Sequence, residues 1–342
     1  MAQVNVNSNF HTATATSVFD LKKTDKRFQE YRRRWHQNPA GFISGKFPIH
    51  LDIESTSLCN LRCPFCASTV DNWGPSGKGF IDFGLYKRII DEGVRNELFS
   101  IKLSLRGEPL LHSKLVEMIK YAKQSGIIDV YFNTNAVLLS PELINDLIDS
   151  GLDRISISFE GIDSETYQKY RVGAKFDEVF DNIKNLKNIK SQRGSLAPQV
   201  RIQTVLLPEL KEGFADYVKF WQPFADEVSY LDARSETLRD YHCQQQACSD
   251  TYEGRWACPF LWQRMMIMWD GSCYPCLLHG VKDVEEMKLG NANKDSLRQM
   301  WNSQALNEIR RMHKEGKSHK IKACNTCSYR AMELDKLNKE NK

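Results

Sequence analysis

Between residues 49 and 233, strand-like and helical segments alternate, and that alternation restricts the chain to few architectures. Apolar or alternating runs recur at 49–55, 100–105, 129–134, 154–159, 200–207 and 227–232. Helical patterns separate them. The clearest has Ser140 as N-cap, Pro141 in the first turn and Gly151 after the last periodic residue. Strands joined through helices pair in parallel by right-handed crossovers. Six strands are too few for the closed eight-stranded barrel. The expected fold is therefore α/β, a partial (βα)6 barrel open on one side, with ligands gathered at the C-terminal ends of its strands.

The flanks differ in character. Residues 1–48 read as a polar arm, floppy over its first 19 residues, followed by a lead-in helix over 25–39. The barrel takes 49–233, an aperiodic linker 234–257, a small cysteine-bearing module 258–330 and a basic tail 331–342. In that module Asp270-Gly271 sits between two short strand-like pieces and signals a hairpin. One helix is expected over 295–316.

With 47 basic and 43 acidic residues the net charge is only +4, and the basic runs are short, which argues against a nucleic-acid groove. No run approaches the ~18 apolar residues of a membrane span. The first residues lack the apolar core of a secretory signal. Ten cysteines without an export signal point to the cytoplasm, where thiols stay reduced and bind metal.

Three of those cysteines, Cys59, Cys63 and Cys66, follow the first strand with C-x3-C-x2-C spacing. Three thiolates there suit iron–sulfur or zinc. A zinc site completed by a distant residue, or buried unliganded thiols, would use the same spacing. Further elements follow the next strands in order: Arg106-Gly107-Glu108-Pro109 after the second, Asn133-Thr134-Asn135-Ala136 after the third, and Ser158-Phe159-Glu160-Gly161 after the fourth, then Arg171. Together they resemble the radical S-adenosylmethionine (SAM) superfamily.

The resemblance implies a [4Fe–4S] cluster on Cys59, Cys63 and Cys66, with Phe65 as the aromatic before the last cysteine and the fourth iron left open for SAM. Cleavage of SAM would yield a 5′-deoxyadenosyl radical that abstracts a substrate hydrogen. Gly107 and Glu108 would receive the SAM ammonium, although arginine replaces the first glycine of the family's turn. Asn135 stands in the family's Thr-Asn-Gly position. Ser158 and Arg171 would hold the SAM carboxylate, a task suited to the planar guanidinium fork.

The C-terminal module resembles the SPASM or shortened twitch extension of the same superfamily, a β-hairpin plus helix. By that resemblance Cys258, Cys276, Cys324 and Cys327 close one auxiliary [4Fe–4S] cluster. The competing arrangement pairs Cys273-x2-Cys276 with Cys324-x2-Cys327 as zinc knuckles. Those pairs stand 47 residues apart, against ~15–20 in zinc ribbons, and the pairing leaves Cys258 idle.

Cys243 and Cys248 in the linker, together with Cys273, are candidate hydrogen-atom donors. Asp232, Arg234 and Glu236 follow the sixth strand as candidate substrate or proton groups. The expected activity is oxidation of a carbohydrate or cyclitol alcohol to a ketone, with the auxiliary cluster as electron acceptor and flavodoxin or ferredoxin as electron donor. Radical epimerisation, ribosomal-peptide modification, and a zinc-bound structural or interaction role are the competing readings.

Overall fold

The computed structural model describes residues 10–66, 77–207, 210–232, 254–276 and 285–325, together with 327, 329–331, 333, 334 and 337. Its strands in chain order are β1 (Phe10–Thr12), β2 (His50–Ile53), β3 (Ser100–Lys102), β4 (Asp129–Thr134), β5 (Arg154–Ser158), β6 (Gln199–Leu206), β7 (Glu227–Asp232), β8 (Arg264–Ile267), β9 (Ser272–Tyr274) and β10 (Gly290–Asn291). They form one sheet in the order β1-β7-β6-β5-β4-β3-β2-β8-β9-β10. Strands β2 to β7 are parallel neighbours, as the alternation predicts. Their crossovers carry α2 to α7 outward of the sheet, and α1 (Lys26–Ala40) precedes β2. The others are α2 (Phe83–Arg95), α3 (Leu115–Gln124), α4 (Pro141–Asp149), α5 (Ser164–Tyr170), α6 (Phe176–Gln192) and α7 (Phe214–Trp221).

Strand alternation sorts the side chains into two layers. Leu51, Ile53, Ile101, Val130, Phe132, Ile155, Ile157, Val200 and Ile202 turn outward into the main core beneath the helices. The alternate positions His50, Asp52, Ser100, Lys102, Asp129, Arg154, Arg201 and Glu227 turn inward, so the lumen is polar and charged. Within it, Arg154 donates from Nε and Nη2 to Asp129 at 2.9 and 2.7 Å, Ser100 donates to the same carboxylate at 2.8 Å, and Arg201 Nε donates to Glu227 at 2.7 Å.

Helix α1 closes the floor of this lumen. Asp25 caps it by accepting from the backbone N–H groups of Arg27 and Phe28. Its buried Phe28, Tyr31 and Trp35 pack on Ile49 and Phe99, the residues just before β2 and β3. The mouth therefore lies at the opposite, C-terminal end of the strands.

Two expectations need correction, and the placement of the small module adds a finding. The arm is not wholly floppy: residues 10–12 pair antiparallel with β7 as an edge strand, and the Thr16 hydroxyl donates to Asp226 O. The C-terminal helix is two helices, α9 (Leu297–Trp301) and α10 (Gln304–Lys314), because Ser303 Oγ accepts from Leu306 N and caps a new start. The small module joins the barrel sheet. After the short α8 (Phe260–Gln263), β8 pairs parallel with β2 and continues the barrel sheet, and β9 and β10 follow antiparallel. Trp301, fully buried, donates to Ser44 O at 2.9 Å and fastens the module to the segment before β2. Among the described residues no helix is long and apolar enough to cross a membrane.

Candidate active site

The Cys59–Cys66 loop leaves the C-terminal end of β2 and is held from three directions. From below, the 106–109 turn presses on its backbone: a Cβ on Gly107 would lie 2.3 Å from Thr56 O and 2.5 Å from Leu58 O, so only glycine fits. Glu108 N then donates to Leu58 O at 2.8 Å. From the side, Arg62 N donates to Val172 O at 2.9 Å, and Asn135 Nδ2 donates to Asn60 Oδ1 at 2.8 Å. Within the loop, Leu61 N points at Cys59 Sγ at 3.4 Å.

Glu108 sits at the junction of these loops. Its carboxylate is buried and accepts from Thr134 Oγ1 at 2.6 Å, Asn135 N at 2.8 Å and Leu110 N at 3.1 Å. Burial raises its pKa above the ordinary carboxylate value, and the three donors oppose that rise. Glu108 thus braces the loops after β3 and β4 against the cysteine loop. Asn135 is likewise a brace, its Oδ1 accepting from Val137 N. Arg106, in the place of a glycine, turns away from this junction and forms a buried two-pronged pair with Glu54 at 2.5 and 2.8 Å.

Arg171 follows α5 and reaches back to the cysteines, with Nη1 3.7 Å from Cys63 Sγ and its guanidinium 5.5 Å from the Phe65 ring centre. It is held by Glu160, which binds Nε and, at 2.9 Å, Nη2. Burial works against the Arg171 charge, but Glu160 and Cys63 outweigh it and hold the pKa above the usual arginine value. Glu160 is a site residue that the sequence reading did not single out. Its signal was present, since it is the acidic residue of the Ser158-Phe159-Glu160-Gly161 element. Ser158 ends β5 on its lumen-facing side, half-buried, in register with Gln203.

Other candidates separate from this group. Asp232 shares its strand face with Val228 and Tyr230, and Tyr230 packs on Phe214 of α7. The carboxylate therefore turns to the helix side of the sheet, where His11 Nε2 lies 2.8 Å away, and not into the lumen. Cys273 is fully buried in the main core, with Sγ 3.4 Å from Gly271 O, which removes it from contact with a substrate. Cys243, Cys248, Arg234 and Glu236 lie outside the described residues.

A second thiol cluster lies in the C-terminal module. Cys258, Cys276, Cys324 and Cys327 line one largely apolar cavity with Trp256 and His313, and Cys273 is not among its walls. Cys324 rides on α11 (Lys322–Asn325). Arg330 N points at Cys327 Sγ at 3.3 Å, and His313 Nε2 lies 3.5 Å from Cys324 Sγ. Among the described residues no three His, Cys, Asp or Glu side chains converge as a single ion requires. The four thiols line one cavity, and their number matches the corners of a cubane cluster. Burial pushes the Cys63 thiol up to about 11 and Cys324 up to about 12, so binding of a metal cluster must displace their protons.

Residues 53–220 match the model of the radical SAM superfamily, and residues 258–328 match that of an iron–sulfur cluster-binding domain of the SPASM type. The chain is a radical SAM enzyme. A curated relative from Pyrococcus furiosus, described as a tungsten-containing aldehyde ferredoxin oxidoreductase cofactor-modifying protein, is 24% identical over 326 residues, covering 82% of this chain and 87% of its own. A GTP 3′,8-cyclase of Clostridium acetobutylicum is 27% identical, covering 54% of this chain and 55% of its own. Among solved structures, BtrN in complex with AdoMet and 2-DOIA aligns with a TM-score of 0.52 at 19% identity over 83% of this chain and 94% of its own. Native anSMEcpe with bound AdoMet aligns with a TM-score of 0.57 at 15% identity, over 82% of this chain and 87% of its own. These neighbours share the fold.

This radical SAM enzyme takes a [4Fe–4S] cluster, SAM and an auxiliary cluster as cofactors. The residues present fit them: three thiols on a loop pressed by Gly107 and faced by Arg171, and four thiols around a separate apolar cavity. The different surroundings of Cys273 and Cys276 yield a direct test. Cys276→Ala is expected to lower the iron content by roughly half, because one of two four-iron sites loses a ligand. Cys273→Ala is expected to keep both clusters while costing about 1–3 kcal/mol of stability through the cavity it leaves. Iron analysis and thermal melting separate the two outcomes, and the reverse result would favour the knuckle pairing.

Proposed function

We propose that this radical SAM enzyme oxidises an alcohol carbon of a small polar substrate, a carbohydrate or cyclitol, to a ketone. When bound, SAM with its cluster supplies the radical that takes hydrogen from carbon, and the auxiliary cluster supplies an electron acceptor. The observation that carries the reading is the auxiliary cavity: four thiols surround it, enough to occupy every corner of a cubane and leave electron transfer as its role. Flavodoxin or ferredoxin is the proposed source of the electron that starts the cycle.

Around that chemistry the chain's own residues position and enclose. Glu108 and Gly107 hold the cysteine loop, while Arg171, steadied by Glu160, faces Cys63 and is the proposed partner of the SAM carboxylate. The polar lumen beneath, floored by α1, offers hydroxyl and amide groups such as Ser156, Ser158 and Gln203 to an oxygen-rich substrate.

The reading is tested by anaerobic turnover in D₂O of reduced, reconstituted enzyme with SAM and a panel of sugars, cyclitols and peptides, followed by mass spectrometry. A product lighter by two hydrogens is expected. A product of unchanged formula bearing one carbon-bound deuterium would replace oxidation by epimerisation and direct attention to Cys243 and Cys248.

A further inference from the structure

One lumen cation has no assigned role in the proposed chemistry. Lys102 ends β3, in register with Asp52 on β2 and Tyr131 on β4. Its neighbours Ile101 and Leu103 are fully buried in the core beneath the helices, so alternation turns Lys102 inward. The charges that act on it come from Asp52 and, across the barrel, from Arg264 on β8, Arg154 on β5 and Arg201 on β6. Burial first, and those three guanidinium groups with it, lower its pKa from the ordinary lysine value, with Asp52 opposing.

The carboxylates of this layer already have partners. Asp129 takes the fork of Arg154 and the hydroxyl of Ser100. Glu227 takes Arg201 Nε, Val18 N and the Thr12 hydroxyl. Asp52 takes Arg264 Nη1 at 3.3 Å and faces His50 at 3.4 Å. Higher in the lumen, Glu54 takes Arg106 and Trp269 N. Lys102 is only partly exposed and takes part in none of the hydrogen bonds described above, and Arg264 Nε in the same layer is buried without a partner among the described residues. Among these groups four cations, Lys102, Arg154, Arg201 and Arg264, share the layer with three carboxylates, Asp52, Asp129 and Glu227, so one positive charge is in excess, and a ligand of opposite sign offsets it.

We infer that the substrate carries an anionic group, a carboxylate or a phosphate, and that Lys102 binds it in the lumen. The inference rests on the reading that substrate occupies the lumen, and is independent of whether the alcohol is oxidised. Arg264, Arg154 and Arg201 would act on the anion at a distance while keeping their carboxylate partners. A neutral substrate would leave Lys102 as uncompensated after binding as before.

Calorimetric titration of reconstituted, SAM-bound enzyme with inorganic phosphate and, separately, with succinate tests this. Saturable binding at one site per chain is expected, and the tighter of the two probes distinguishes phosphate from carboxylate. Lys102→Met should weaken that binding by roughly tenfold or more, the effect of losing a charge-assisted contact, while Lys102→Arg retains most of it. Iron content and SAM binding of each variant verify the fold. Without an added anion, Lys102→Met should melt at a higher temperature than wild type, since it removes the unmatched charge, and phosphate should raise the melting temperature of wild type alone. No saturable binding of either probe, or equal affinity in wild type and Lys102→Met, would overturn the inference. None of these measurements uses turnover, so failure here leaves the oxidation reading standing, and failure of the oxidation reading leaves this one standing.

Discussion

Replacing Cys59, Cys63 and Cys66 together by alanine should abolish SAM cleavage while leaving roughly four irons per chain, the complement of one remaining cubane. The two thiol groups are built from different parts of the chain. The first lies on one loop after β2, and the second lines a cavity formed between Trp256 and Tyr329. Neither shares a ligand with the other, so loss of one should leave the other filled. Iron analysis, the absorbance near 400 nm and a 5′-deoxyadenosine assay read the result. Complete loss of iron would mean that the C-terminal cavity holds no cluster of its own.

The second large effect concerns Glu160. Its carboxylate is fully buried and grips Arg171 in a two-pronged pair. Glu160→Gln leaves the guanidinium uncompensated and should cost about 3–5 kcal/mol of stability. It also frees Arg171 from its position beside Cys63, which should weaken SAM binding by roughly ten- to a hundredfold. The double variant Glu160→Gln with Arg171→Gln removes both charges and should recover much of the stability. It should not recover SAM affinity, because Arg171, the proposed partner of the SAM carboxylate, is gone. Thermal melting and equilibrium SAM binding on reconstituted protein measure the two effects separately. Wild-type SAM affinity in the double variant would reduce Arg171 to a structural residue.

The barrel was legible because its signals are local. Each strand's alternation and each helix's cap lie within a dozen residues, so β2 to β7 and the N-cap at Ser140 emerge from the sequence directly. The cysteine groups were legible for a similar reason, since a cluster needs fixed residue types at short spacings. What stayed hidden depends on pairing between distant segments. Residues 10–12 carry no strong strand pattern and become a strand only because β7 offers an open edge. Asp232 follows a strand at the catalytic end, yet its face is set by strand parity, which turns it toward His11 and the helices. Glu160 was visible in a motif but gained its meaning only from the Arg171 guanidinium it holds. The split between α9 and α10 was written in Ser303 and obscured by the continuous apolar period on either side.

The pairing of β8 with β2 has a consequence for how the chain is made. His50 lies opposite Arg264, 214 positions later in the sequence, so this edge of β2 stays bare until β8 has been made. Such non-local contacts are slow to form, and an uncovered strand edge invites pairing with other chains. The cysteine loop hangs from that same strand, so the catalytic cluster site reaches its final setting only after the C-terminal module has docked. A chain in which β8 has not yet docked would present both hazards together, an open edge of β2 and a cysteine loop without its final support.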